Sequence, residues 1–228
     1  MSTATSPRRR RGRPADPGIE QRVAAAAIQV YAEAGWAGFT FDAIAARSGV
    51  GKAAIYRRWE SKLDIFRAAW RAASVGWIEV PDTGALRGDL VFVARTLAER
   101  LDEPVGIAEL RLLIDAKLFP EEFGEMDPSR GASRAVARET VDRAVARGEL
   151  PAGTRPEAVF DLVRGAVVHN FLMVPPGMAD AWRARRAQLA EEVVDVVLAG
   201  LRAQRPEPAP RLTVRAGMPP PARASASG

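Results

Sequence analysis

A four-residue turn, Ser48-Gly49-Val50-Gly51, sets two short helical segments against each other early in the chain. Ahead of the turn, Thr40 is placed to cap a helix whose buried face holds Phe41, Ile44 and Ala45. Behind it, Val50, Ile55 and Trp59 fall on one side of a further helix and anchor it to its neighbours. Residues 40–59 therefore read as a helix–turn–helix. A short helix held in this way can enter the major groove of DNA.

The chemistry of the second helix suits that role. Gly51, Ala53 and Ala54 are small and let the backbone approach DNA closely. Its N–H groups and positive end favour phosphate. Lys52 and Arg57 fall on the exposed side with Arg58 nearby, and the Tyr56 hydroxyl can reach a phosphate. Thr40 and Lys62 open the flanking helices and can clamp the backbone on either side. The competing reading is an ordinary helical hairpin with solvated basic residues. A capped helix, a glycine turn, a short basic helix and a flanking arginine arm together favour DNA.

Charge is distributed to match. Residues 1–70 carry 12 Lys plus Arg against 6 Asp plus Glu, a net +6, whereas residues 71–228 carry 21 against 22, a net −1. A basic module on a near-neutral body points to a polyanion partner for that module alone. Ahead of the module, Arg8-Arg9-Arg10-Arg11-Gly12-Arg13-Pro14 forms an arm in which Arg11 and Arg13 flank a glycine. Such an arm suits a narrow minor groove, as in an AT-hook, or serves as a salt-dependent phosphate tether. Both readings stay open.

Other function classes fit poorly. The chain has no cysteine and a single histidine, His169, so thiolate and multi-histidine metal sites are ruled out and no cofactor is expected. No Ser-His-Asp set, P-loop or dinucleotide fingerprint is visible, which argues against an enzyme. No apolar run is long enough for a membrane span, and the basic N-terminus lacks an apolar signal region. The expected location is cytoplasmic.

The remaining pattern is helical throughout, and no segment alternates like a strand. Asp16 and Pro17 start a first helix that Gly35 ends. Ser61 to Asp64 forms a capping box for a fourth helix carrying Leu63, Phe66, Trp70 and Trp77 and stopping before Pro81. Further helices are expected over 86–101, 107–119, 132–147, from a second capping box at Thr154–Glu157 to about 173, and over 179–203, with a break beginning at Pro120. The expected organisation is all-α: a disordered arm over 1–15, a three-helix DNA-binding domain with its connector helix over 16–77, a helical regulatory domain over 82–204, and a tail over 205–228 with six prolines.

The stretch Ile44-Ala-Ala-Arg-Ser-Gly-Val-Gly-Lys-Ala-Ala-Ile-Tyr-Arg-Arg-Trp-Glu-Ser-Lys62 resembles the DNA-binding domain of the TetR (tetracycline repressor) family of transcriptional regulators, a likeness strong over residues 17–77. The family usually has Ser at Gly51, often Gly at Ala53, more often Phe at Trp59, and frequently Pro at Glu60. The resemblance implies that Thr40, Lys52, Tyr56, Arg57 and Lys62 contact phosphates or bases. It also implies a C-terminal helical domain that binds a small molecule and dimerises.

The residues of the body give that implication partial support. Phe160, Val163, Val167 and Phe171 on one helix, and Leu189, Val193, Val197 and Leu201 on the last, make both helices apolar over more than one face. Paired with their copies, they form a four-helix dimer interface. The alternative buries both faces inside one subunit. Candidate pocket residues are Trp77, Phe92, Leu110, Ile114, Phe119, Phe123, His169 and Met173, each of which also suits a plain core or structural role. Arg111 and Asp115, one turn apart, are expected to pair with each other. The resulting expectation is a homodimeric repressor released from a palindromic operator in double-stranded DNA by a small-molecule effector. The alternative is a nonspecific architectural DNA binder without an effector.

Overall fold

The computed structural model describes residues 18–74, 79–126, 131–175 and 177–203. The arginine arm, Trp77 and the proline-rich tail lie outside them. The described residues form helices and no strand. In chain order the helices are α1 (Ile19–Gly38), α2 (Phe41–Ser48), α3 (Lys52–Tyr56), α4 (Lys62–Ser74), α5 (Leu86–Arg100), α6 (Pro104–Leu118), α7 (Pro120–Phe123), α8 (Ala132–Ala146), α9 (Pro156–Leu172) and α10 (Ala179–Ala203).

Two hydrophobic cores hold them. The first is built by α1, α2, α3 and α4 around Val23, Tyr31, Phe39, Ile44, Ile55 and Phe66. Its aromatic centre is densely interlocked: Tyr31 lies 4.5 Å from Phe66, and Phe123 meets Trp36 edge-on at 4.8 Å, between ring centroids. Ala108, Leu112 and Ala116 of α6 and Phe123 of α7 also belong to this core. The second core joins α5, α8, α9 and α10 around Leu90, Val93, Val141, Val163, Val167 and Val194. Helix α6 thus serves both, because Leu110 packs against the second.

Local chemistry sets the helix ends. Ser61 and Asp64 cap reciprocally: the Ser61 N–H donates to Asp64 Oδ2 at 3.0 Å and the Asp64 N–H donates to Ser61 Oγ at 3.1 Å. The second expected capping box does not form. The Thr154 hydroxyl donates to the Pro151 carbonyl at 2.8 Å, and Arg155 takes the cap position with Pro156 opening α9. Helix α6 starts a turn earlier than its apolar spacing indicates, with Pro104 in the first position that proline favours. Pro120, expected to begin a break, opens the one-turn α7, which carries Phe123 into the first core.

Helix α1 also departs from expectation. Gly35 does not end it but breaks it, at φ 63° and ψ −169°, and the helix resumes to Gly38. Just ahead of the break, Arg111 of α6 binds two carbonyls of α1. Its Nε donates to the Ala32 carbonyl at 3.0 Å and its Nη2 to that of Glu33 at 3.3 Å. One turn along, Asp115 accepts the Tyr31 hydroxyl at 2.5 Å. Arg111 and Asp115 therefore do not serve each other; both clasp α1.

The segment entering the body is fixed by a buried carboxylate. Asp89 is fully buried and accepts from the Thr83 N–H at 2.8 Å and the Thr83 hydroxyl at 2.6 Å. Arg143 of α8 and Arg147 just after it approach its other oxygen at 3.7 Å and 3.5 Å. One oxygen of the buried carboxylate is thus hydrogen-bonded and the other faces two guanidinium groups, which offsets the cost of burying its charge.

Candidate nucleic-acid interface

Thr40 caps α2 as its position indicates, its Oγ1 accepting from the Ala43 N–H at 3.1 Å. Gly49 then turns the chain through a left-handed conformation at φ 66°, its N–H returning to the Ala45 carbonyl at 3.1 Å. Val50 and Ile55 are buried and pin α3 down on its inner side. Because α3 spans only Lys52–Tyr56, its outer side is short: Lys52 and Tyr56 lie one turn apart, with Ala53 exposed between them and Arg57 exposed just beyond.

Each candidate side chain has a definite setting. Lys52 Nζ sits 2.7 Å from Asp42 Oδ1 in the first turn of α2. This hydrogen bond and charge raise the Lys52 pKa above its ordinary value. Tyr56 is 57% exposed, yet its ring stacks on Phe41 with centroids 4.3 Å apart and planes 11° from parallel. Arg58 is half-buried and folds back, its Nη1 donating to the Ala54 carbonyl at 3.2 Å. Arg57 remains exposed. Gly51 precedes α3 with open space where a side chain would go. Ala54 packs against the first core.

Lys62 is engaged within the subunit. Its Nζ donates to the Trp36 carbonyl at 3.1 Å and lies 3.9 Å above the Trp36 ring. In this arrangement it staples the end of α1 to the start of α4. Thr40, Lys52, Tyr56 and Arg57 are exposed, whereas Lys62 is half-buried. The two residues that organise the exposed face, Phe41 and Asp42, were not singled out from sequence as acting on α3. Both lie in the first turn of α2, but helical spacing does not reveal what they touch.

The body candidates do not converge. Leu110 packs against the second core, whereas Phe123 is fully buried in the first. Phe92, Ile114, Phe119, His169 and Met173 are exposed, and Trp77 lies outside the described residues, as do Arg11 and Arg13. Four of the eight interface candidates need a correction, because they lie too deep to face a partner. Phe160, Val163, Val167 and Leu189 are buried within the subunit, and Phe171, Val193, Val197 and Leu201 pack partly against the same core. The reason is that α5, α8 and α10 pack around α9, while α5 and α9 pack against α10. The apolar groups left outward on these two helices include Leu162, 54% exposed, and Val196, 73% exposed. Gly165, Ala199 and Gly200 lie exposed beside them along the chain.

Among the described residues, no group of three or more His, Cys, Asp or Glu is placed to hold a metal ion. Nor is any described helix long and apolar enough to cross a membrane.

Comparison with known proteins agrees with this geometry. Residues 23–69 match the family model for bacterial regulatory proteins of the tetR family, and residues 80–190 match that for the tetracyclin repressor-like C-terminal domain. The chain is 29% identical over 175 residues to YdeS of Bacillus subtilis strain 168, an uncharacterized HTH-type transcriptional regulator, covering 76% of this chain and 88% of that one. It is 27% identical over 186 residues to a DNA-binding transcriptional repressor, TetR, of Mycobacteroides abscessus, covering 76% of this chain and 90% of the other. The fold resembles the crystal structure of full-length tylp, a TetR regulator from Streptomyces fradiae, with a TM-score of 0.55 at 22% identity, over 80% of this chain and 90% of that one. With both halves matched in order and a capped helix–turn–helix at the N-terminal end, the chain belongs to the TetR family of helix-turn-helix transcriptional regulators, which are not enzymes.

Proposed function

We propose that this regulator acts as a homodimer, binds a palindromic operator through two copies of α3, and represses transcription until a small-molecule effector in the body releases it. The observation that carries the reading is the exposed face of α3, where Lys52, Tyr56 and Arg57 share one short surface behind a capped α2. A helix this short offers few base contacts, so a second copy one turn of DNA away supplies the rest. The repressor role is carried over from the M. abscessus relative. The working units are a DNA-binding domain over 16–77 and a regulatory domain over 82–204, and the expected location is the cytoplasm. Arg11 and Arg13 of the arm add minor-groove or phosphate contacts.

The outward sides of α9 and α10 suit the dimer seam. Leu162 and Val196 are the apolar anchors there, and glycine and alanine neighbours allow helices to approach closely. An effector acts by binding one body conformation better than another, which changes the spacing of the two reading helices. The clasp from Arg111 and Asp115 to α1 is a short route for that change.

A gel shift on the DNA upstream of the protein's own gene tests the reading. Preference for that DNA over random competitor at physiological salt is expected. Equal, salt-sensitive binding to both would instead mark an architectural DNA binder. Sedimentation equilibrium tests the seam: Leu162→Asp with Val196→Asp is expected to give monomers that keep their helical content.

A further inference from the structure

The first turn of α2 touches both ends of α3. Asp42 reaches Lys52, the first residue of α3, and Phe41 lies flat against Tyr56, its last. Both contacts sit on the exposed side of the reading unit, where Lys52 and Asp42 keep 58% and 67% of their side-chain surface exposed. The stability of the fold does not call for the Asp42–Lys52 pair. An exposed ion pair of this kind contributes little to folding, and the inner side of α3 is already held by Val50 and Ile55. A carboxylate on a surface that meets DNA also has an electrostatic cost, because it faces phosphates.

We propose that Asp42 is a positioning residue that sets DNA selectivity by holding the Lys52 ammonium, thereby withholding its charge from the phosphates of unselected DNA. The proposal rests on the DNA-reading role of α3. Its physical basis is the difference between two kinds of acceptor. A phosphate oxygen can take Lys52 only by displacing Asp42 or by crowding a second anion beside it. A guanine edge in the major groove offers neutral acceptors, O6 and N7. An ammonium has three donors, so one can stay on Asp42 while the others meet the base. Asp42 therefore opposes backbone contact more than base contact. Phe41 plays the matching part for Tyr56, keeping the ring flat against α2 with its hydroxyl at the surface.

The test uses the full chain and a duplex enriched from a random-sequence pool by the wild-type protein, with a shuffled duplex as comparator. Binding to both is measured from about 50 to 200 mM salt for wild type, Asp42→Asn, Lys52→Gln and the double variant. Asp42→Asn is expected to bind the shuffled duplex several-fold more tightly, with a log–log salt slope steeper by about 0.9 per bound chain. Its gain on the enriched duplex is smaller, so the selectivity ratio falls. In the Lys52→Gln background, Asp42→Asn leaves the ratio unchanged. Equal gains on both duplexes would show a charge effect without positioning and would overturn the proposal, as would an unchanged slope. If the wild-type protein enriches no sequence at all, the operator-reading function fails first, and this proposal falls with it.

Discussion

Tyr31 shows how much one side chain can carry. It is fully buried, its ring lies against Phe66, and its hydroxyl donates to Asp115 across the junction of α1 and α6. Burial, and then the hydrogen bond to Asp115, push its pKa well above the ordinary tyrosine value. The folded state therefore keeps a proton that the unfolded state gives up near pH 10, the ordinary tyrosine pKa. Its contribution is complete below that pH and is lost as pH rises, at up to about 1.4 kcal/mol per pH unit. Urea unfolding of Tyr31→Phe is expected to show a shallower alkaline loss of stability than wild type, with about 1 kcal/mol less stability at pH 7 from the missing hydrogen bond. Gly35 is the other critical residue. At φ 63° and ψ −169°, a side chain is strained, and a Cβ there would stand 2.8 Å from Arg111 Nη1. Gly35→Ala is expected to cost roughly 1–3 kcal/mol in the same assay.

Among the elements, α3 is short enough that its first residue matters. Gly51 precedes it without a side-chain cap, in open space and at a negative φ of −59°. Gly51→Ser is expected to raise the thermal midpoint slightly, by a few tenths of a kcal/mol of added capping. It also places a hydroxyl on the DNA side, so tighter operator binding with an unchanged fold is the outcome to measure. The readable and unreadable parts of the sequence separate at this scale. Thr40, Ser61 and the Gly49 turn were legible because caps and left-handed turns depend on residues a few positions apart. Thr154 satisfied the same pattern and failed, because the carbonyl of Pro151 competed for its hydroxyl. Helical periodicity placed Leu110, Phe123, Phe160 and Val163 on apolar faces but could not say which partner covers each face. That choice is made by residues far away in the chain, so a pocket and a seam are the parts least legible from spacing alone. Asp42 was hidden for the same reason, since its role depends on a neighbour across a turn.

For the whole molecule, the sharing of α6 matters most. Ala108, Leu112 and Ala116 complete the first core while Leu110 packs on the second. The two halves should therefore unfold together. Trp36, Trp59 and Trp70 report on the first core and Trp182 on the second. Urea transitions followed through Trp77→Phe with Trp182→Phe, and through the reverse variant, which keeps Trp182 and replaces Trp36, Trp59, Trp70 and Trp77 by Phe, are expected to be single and cooperative, each superimposing when read by fluorescence and by circular dichroism. Two separated transitions would show the cores to be independent.

The same helix limits how such regulators can be recombined. A chimaera joined at the connector after α4 would take the reader of one protein and leave behind the α6 and α7 side chains that fill its interior. A swap that carries residues 104–126 along with the reader keeps Phe123 and Arg111 with their own partners. The natural unit of exchange is therefore discontinuous in sequence, and a graft designed on the linear order of the chain would cut through a packed core.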